Sequence, residues 1–174
     1  MRAATFWKTV TVDESGLLER LVKALDERHI RYCLIGGQAV NAYVEPLVSL
    51  DLDVVVAAEH LPAIESLASE WKLRVERFPH SLNLGAQGSD LRVQVQTDSR
   101  YAAFLQRALP RVVLGLTLPV AALDDVLRGK VWAASDPGRR ASKRQKDLAD
   151  IARIIEAHPE LQAQVPPEIL ARLV

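Results

Sequence analysis

The chain contains a single cysteine, Cys33, so it forms no internal disulfide and no cysteine-rich zinc site. Its four histidines, His29, His60, His80 and His158, are scattered without the spacing of a metal-ligand set. No apolar run reaches the roughly 18 residues of a membrane span. The first eight residues, Met1 to Lys8, lack the apolar stretch of a signal peptide. The expectation is a cytoplasmic protein with no membrane partner. Charge of one sign is also missing: 22 basic residues face 22 acidic ones, for a formal net charge of zero. No global field draws nucleic acid, and any such contact has to use a local patch. Aromatic residues make up only 5%. Trp7, Trp71 and Trp132 read as core or interface anchors, because no aromatic interleaves with the basic run near the C-terminus. Repeats and low-complexity tracts are absent.

What is present is an ordinary globular composition, with 49% hydrophobic and 25% charged residues over 174 positions. That suffices for one domain with a substantial core. Cys33 sits in an apolar run and reads as a buried thiol.

Hydrophobic spacing predicts a helix from Asp13 to Arg28, with Leu17, Leu18, Leu21, Val22 and Leu25 on one face and Asp13 or Ser15 as cap. Arg31 to Ile35 reads as a short strand, Gln38 to Tyr43 as a short helix, and Leu50 to Val56 as a strongly apolar, central strand. His60 to Trp71 is helical; Lys72 to Phe78 and Ser81 to Leu84 are strands around Pro79-His80. Leu91 to Gln96 alternates strictly, with Leu91, Val93 and Val95 inward and Arg92, Gln94 and Gln96 outward. Tyr101 to Leu109 reads as a helix, and Arg111 to Leu114 and Thr117 to Val120 as extended pieces. From Ala121 the character turns helical: Leu123 to Ala134, a break at Asp136-Pro137-Gly138, Ser142 to Ala157, and a short helix from Pro166-Pro167. The fold class is α+β, with a core over residues 1–120 and a helical C-terminal part over 121–174 packed on it.

The chemistry concentrates in two neighbouring segments. The first strand runs into Ile35-Gly36-Gly37; thirteen residues later comes Asp51-Leu52-Asp53-Val54. Alternate residues of a strand share a face, so Asp51 and Asp53 stand side by side while Leu52, Val54 and Val56 enter the core. Two carboxylates held together on a rigid strand repel each other and call for a cation, and Mg²⁺ carrying substrate phosphates is the natural partner. Glycines let a backbone approach phosphate closely, and a following helix start offers free N–H groups. Ser49 shares the parity of the aspartates and is a candidate phosphate contact. Lys130, Arg139, Arg140, Lys143 and Lys146 form a basic cluster suited to a triphosphate or an RNA backbone. Asp147 and Asp150 share a helix face and read either as surface pairs with Lys146 and Arg153 or as a structural tie between this helix and the Asp-x-Asp sheet; Asp124-Asp125 read as helix caps.

The strand, Gly-Gly turn, helix and Asp-x-Asp strand resemble the nucleotidyltransferase superfamily of the DNA polymerase β type. Together with Lys130 and the stretch Lys146-Asp147-Leu148-Ala149-Asp150-Ile151, they look most like the AbiEii-type and minimal nucleotidyltransferases of bacterial toxin–antitoxin systems. The resemblance implies a mixed sheet flanked by helices. It implies Mg²⁺- or Mn²⁺-dependent transfer of a nucleoside monophosphate from an NTP to an acceptor hydroxyl, on an RNA 3′ end or a protein, in a toxin–antitoxin or phage-defence setting. Asp51 and Asp53 would be the catalytic metal ligands; Gly36, Gly37, Ser49, Lys130 and Lys146 would bind the nucleotide.

The chain departs from that pattern at two points. Active members carry a third acid on a neighbouring strand, and here the outward residues are Arg92, Gln94 and Gln96, none of them acidic. Asp98 and Asp90, at the two ends of that strand, are the candidate replacements. The basic residue often found four positions before the first aspartate is Leu47. Two alternatives therefore stand beside the transferase: a catalytically degenerate relative that binds a cognate toxin or antitoxin protein, and a small-molecule nucleotidyltransferase.

Overall fold

The computed structural model describes residues 16–173. The elements in chain order are α1 (Leu17–Glu27), β1 (Tyr32–Ile35), α2 (Gly36–Asn41), β2 (Asp51–Val56), α3 (Leu61–Glu70), β3 (Arg74–Phe78), β4 (Ser81–Gly85), β5 (Arg92–Gln96), α4 (Phe104–Arg107), β6 (Leu109–Val113), β7 (Leu116–Val120), α5 (Leu123–Ser135), α6 (Ala141–Ala157) and α7 (Pro167–Leu170). Short 3₁₀ turns occupy Ala58–His60, Ser99–Tyr101 and Pro159–Gln164. The capping candidates Asp13 and Ser15, and Trp7, lie outside the described residues.

The seven strands form one mixed sheet in the order β3-β4-β5-β2-β1-β7-β6. The apolar strand β2 is the fourth of the seven, as its composition predicts. It runs parallel to β5 and antiparallel to β1, and β1 runs parallel to β7. Leu52, Val54 and Val56 are buried on the core face, together with Val93 and Val95 of β5. The two extended pieces before α5 pair as a hairpin whose turn residues, Leu114 and Gly115, both have positive φ. That geometry suits the right-handed twist of the flanking strands.

One hydrophobic core joins the strands to the helices at both ends of the chain. It includes Leu17, Leu18, Leu21 and Leu25 of α1, Val126, Leu127 and Ala134 of α5, Leu148, Ile151 and Ile154 of α6, and Ile169 of α7. Cys33 is fully buried, and that burial pushes its thiol up to about 12, so it is inert at neutral pH. Trp132 stacks on Phe104 and meets Tyr101 edge-on, which is the anchoring role read from the sequence. Among the described residues, no helix is long and apolar enough to cross a membrane.

Candidate active site

The glycine turn at the end of β1 rests directly on the second aspartate. Ile35 pairs with Asp53 across the antiparallel β1–β2 ladder. Gly36 has φ +70°, a left-handed conformation that glycine adopts without penalty. A Cβ at Gly36 would lie 2.1 Å from Oδ2 of Asp53, so the carboxylate occupies the space a side chain would fill. Gly37 is less crowded; its Cβ would make ordinary contact with Ser49 Oγ at 3.7 Å. The Ser49 hydroxyl accepts from the Asp51 amide at 3.3 Å and so faces the turn.

The loop between α2 and β2 is pinned by side chains that carry no motif signal. Gln38 is buried and donates from Nε2 to the Ser49 carbonyl at 2.9 Å. Asn41 donates to the Leu47 carbonyl at 2.6 Å and accepts from the Leu47 amide at 3.0 Å. Arg153 of α6 donates to Asn41 Oδ1 at 3.1 Å and to the Glu45 carbonyl. Together these bonds fix the start of β2, and hence the aspartates, against the glycine turn.

The two aspartates have different surroundings. Asp51 is ion-paired on both oxygens: Arg92 Nε lies 2.8 Å from Oδ1, and Lys143 Nζ lies 3.2 Å from Oδ2. Asp53 receives no hydrogen bond on its carboxylate from any described residue. It faces a cavity of about 90 Å³ that Gln94, Tyr101, Lys130 and Arg139 also line. Burial pushes its carboxyl up to about 6; the Asp51 charge adds to the rise, and Lys130, Lys143 and Arg139 oppose it.

The basic helpers divide. Lys130 is buried, lines the Asp53 cavity, and is held by Asp147 Oδ1 at 3.0 Å and Asp150 Oδ2 at 2.8 Å. Burial lowers its ammonium, but the two carboxylates outweigh that and the net shift is upward. Arg139 Nε pairs with the second oxygen of Asp147 at 2.8 Å. Lys146, by contrast, is exposed and lines neither cavity at the aspartates. The helical repeat explains this: Lys143 and Asp147 are four apart and face inward, so the position just before Asp147 points out. Asp147 is accordingly no surface charge but is buried at the root of the cluster. Asp125 is likewise not a cap; it is buried and bound by Arg107 through two bonds of 2.8 Å and by Arg128 at 2.7 Å.

The third acid is not supplied by either candidate. In the parallel β2–β5 register, Asp51 faces Arg92 and Asp53 faces Gln94. Asp98 lies beyond the strand end, accepts from the Arg100 amide at 2.9 Å and pairs with the Arg100 guanidinium at 3.0 Å. Its hydrogen bonds from Arg100 hold its carboxyl below the usual range. Asp90 is exposed and lines neither cavity. Among the described residues, no group of three His, Cys, Asp or Glu side chains is placed to hold a metal ion.

The donor set nevertheless suits a divalent ion that arrives with substrate. Mg²⁺ keeps several waters and is commonly held by one or two carboxylates plus phosphate oxygens. Asp53 offers a carboxylate without a hydrogen-bonded partner, and Asp51 sits two residues away on the same strand face. The cations on Asp51 have long side chains able to turn toward phosphate.

No family model and no curated protein matches this sequence. Solved structures do match. ANT(2″)-Ia in complex with adenylyl-2″-tobramycin aligns over 91% of this chain and 98% of that one, at TM-score 0.64 and 16% identity. A nucleotidyltransferase-like protein from Paracoccidioides brasiliensis aligns over 94% and 89%, at TM-score 0.56 and 20% identity. The lincosamide antibiotic adenylyltransferase LnuA, bound to lincomycin, aligns over 83% and 99%, at TM-score 0.53 and 12% identity. The chain thus has the nucleotidyltransferase-like fold, a mixed sheet flanked by helices.

Proposed function

We propose that this protein is a nucleotidyltransferase that moves a nucleoside monophosphate from an NTP, entering with Mg²⁺ or Mn²⁺, to an acceptor hydroxyl. The observation that carries the reading is the contact between Gly36 and Asp53. It sets the glycine turn on the cavity that Asp53, Lys130 and Arg139 line, while Asp51, two residues away on the same strand face, is paired with Lys143 in the adjoining concavity. Asp51 and Asp53 would hold the metal, which supplies charge neutralisation at the phosphates. Gly36, Gly37 and Ser49 would shape the phosphate site, and Lys143 and Arg139 would take up phosphate charge in place of the Lys146 expected from the sequence. The acceptor oxygen attacks the α-phosphorus, the bond to the bridging oxygen breaks, and pyrophosphate leaves with that electron pair. The residue facing Asp53 is an amide with no basic lone pair to offer, so it does not take the hydroxyl proton.

The resemblance of Lys130 and the Lys146-to-Ile151 stretch extends this reading to a cytoplasmic protein of the AbiEii-like, minimal type in a toxin–antitoxin or phage-defence setting. The degenerate, partner-binding reading is favoured by one specific feature, the Arg92 and Gln94 that stand where the pair would meet a third acid.

The deciding experiment is transfer of label from each α-labelled NTP, with Mg²⁺ or Mn²⁺, into total RNA and total protein. Wild type is compared with Asp51→Asn/Asp53→Asn. Label from wild type alone establishes the transferase and its acceptor class. No label from any NTP transfers the weight to the degenerate reading.

A further inference from the structure

The register of the sheet lines up side chains in rows that lead away from the aspartates. One row reads Arg74, Gly85, Arg92, Asp51; the next reads Glu76, Asn83, Gln94, Asp53; the third begins with Phe78 and Ser81. Arg74, Glu76 and Phe78 are exposed. At about 4.8 Å per strand, the rows extend roughly 14 Å from β2 to the edge strand β3. A concavity of about 310 Å³ lies on this face, bounded by Asp51, Arg74, Phe78, Arg92, Arg140 and Lys143.

We propose that this face is the acceptor track, and that it takes single-stranded nucleic acid with its end at Asp51 and Asp53. The placing of the end rests on the transferase reading; the binding does not. The track's charge is local, because the chain as a whole has net charge zero. Four cations, Arg74, Arg92, Arg140 and Lys143, face two carboxylates, Asp51 and Glu76. Among the described residues, neither Arg74 nor Arg140 makes an ion pair or a side-chain hydrogen bond, so both guanidinium groups are available to phosphate. Gly85 is what lets Arg74 reach inward: a Cβ there would lie 2.7 Å from Arg74 Nη2, so the guanidinium crosses β4 over bare backbone. Phe78, 53% exposed at the far end, offers a ring face on which a base can stack. Asn83, on the middle row, lines the same concavity. A cationic path with an exposed ring selects single-stranded polyanions and disfavours polycationic acceptors.

The test is fluorescence anisotropy of the full chain with a labelled RNA single strand of about 12 nucleotides, within the usual site sizes. Binding is read between about 50 and 200 mM KCl, a range over which phosphate contacts weaken measurably. Wild type is expected to bind saturably, with a log–log salt slope near −3, about −0.7 for each of the four cations. Arg74→Ala/Arg140→Ala is expected to flatten that slope by about 1.4. Phe78→Ala should weaken binding about tenfold at an unchanged slope. Absence of saturable binding at low salt, an unchanged slope in the double variant, or equally tight binding of a duplex of the same length overturns the proposal. If RNA binds but no NTP labels either RNA or protein, the transferase reading falls and the track stands as a binding surface. If protein or a small polycation is labelled while RNA is not bound, the track falls and the transferase stands.

Discussion

Gln94 stands directly across from Asp53 in the parallel ladder between β2 and β5, on the same face of the sheet. An amide there can accept a hydrogen bond or weakly ligate a metal, but it cannot take a proton from an attacking hydroxyl. The site therefore has two carboxylates and a neutral neighbour where a third would complete a metal cage.

Gln94→Asp supplies that carboxylate on a strand whose position is already set. Because charge count among oxygen ligands tunes divalent affinity, Mn²⁺ should bind about tenfold tighter than to wild type. Titration calorimetry in the absence of nucleotide measures it. Unchanged affinity would show that position 94 does not reach the metal.

Gly36→Ala meets both a left-handed φ and a clash with Asp53. Gly16 has a similar φ of +61°, but a Cβ added there would meet nothing within 4 Å, so it reports the conformational cost alone. Gly16→Ala should lose about 1–2 kcal/mol, and Gly36→Ala roughly 2–3 kcal/mol beyond that, as for overpacking at a rigid contact. Urea unfolding of the two variants gives the difference, and equal losses would contradict the close approach.

Asp53 ties stability to pH. Its carboxyl titrates near 6 in the folded chain against an ordinary value of 3.8. The folded state thus holds the proton more tightly than the unfolded one, and stability falls as pH rises from about 4 to 6 and stays low above that. The loss is on the order of 3 kcal/mol. Asp53→Asn should therefore match wild type near pH 4 and exceed it at about pH 8, in metal-free urea titrations. A variant that is less stable than wild type at the higher pH would refute the buried-carboxyl account.

Lys130 joins α5 to α6 through Asp147 and Asp150. Lys130→Met leaves those two acids facing each other without their shared cation. The expected cost is about 3–5 kcal/mol, as for one partner removed from a buried pair. Lys146→Met, at an exposed position, should change stability by less than about 0.5 kcal/mol. Thermal unfolding distinguishes the two, and a comparable loss in both would move the anchoring role to Lys146.

Much of the fold was legible along the chain because its signals are local. The period-2 pattern of Leu91 to Gln96 and the apolar run after Asp53 mark strands whatever surrounds them. The side-by-side placement of Asp51 and Asp53 follows from strand geometry alone. The nucleotidyltransferase-like sheet was expected from the resemblance carried by the glycine turn and the carboxylate pair, and the fold has it. Strand order, the partners of Asp51, and the residue that faces Asp53 were decided only by tertiary structure. A parallel pairing between β2 and β5 brings together residues some forty positions apart, and no periodicity records which outward residue meets which. The same holds for the basic cluster. Sequence places Lys130, Lys143 and Lys146 in one basic cluster, and the resemblance singles out Lys130 and Lys146. Packing of α6 on α5 buries Lys130, turns Lys143 onto Asp51 and leaves Lys146 in solvent. Charge is a property of residue type, but whether it serves the site depends on the helix face and on what that face is packed against.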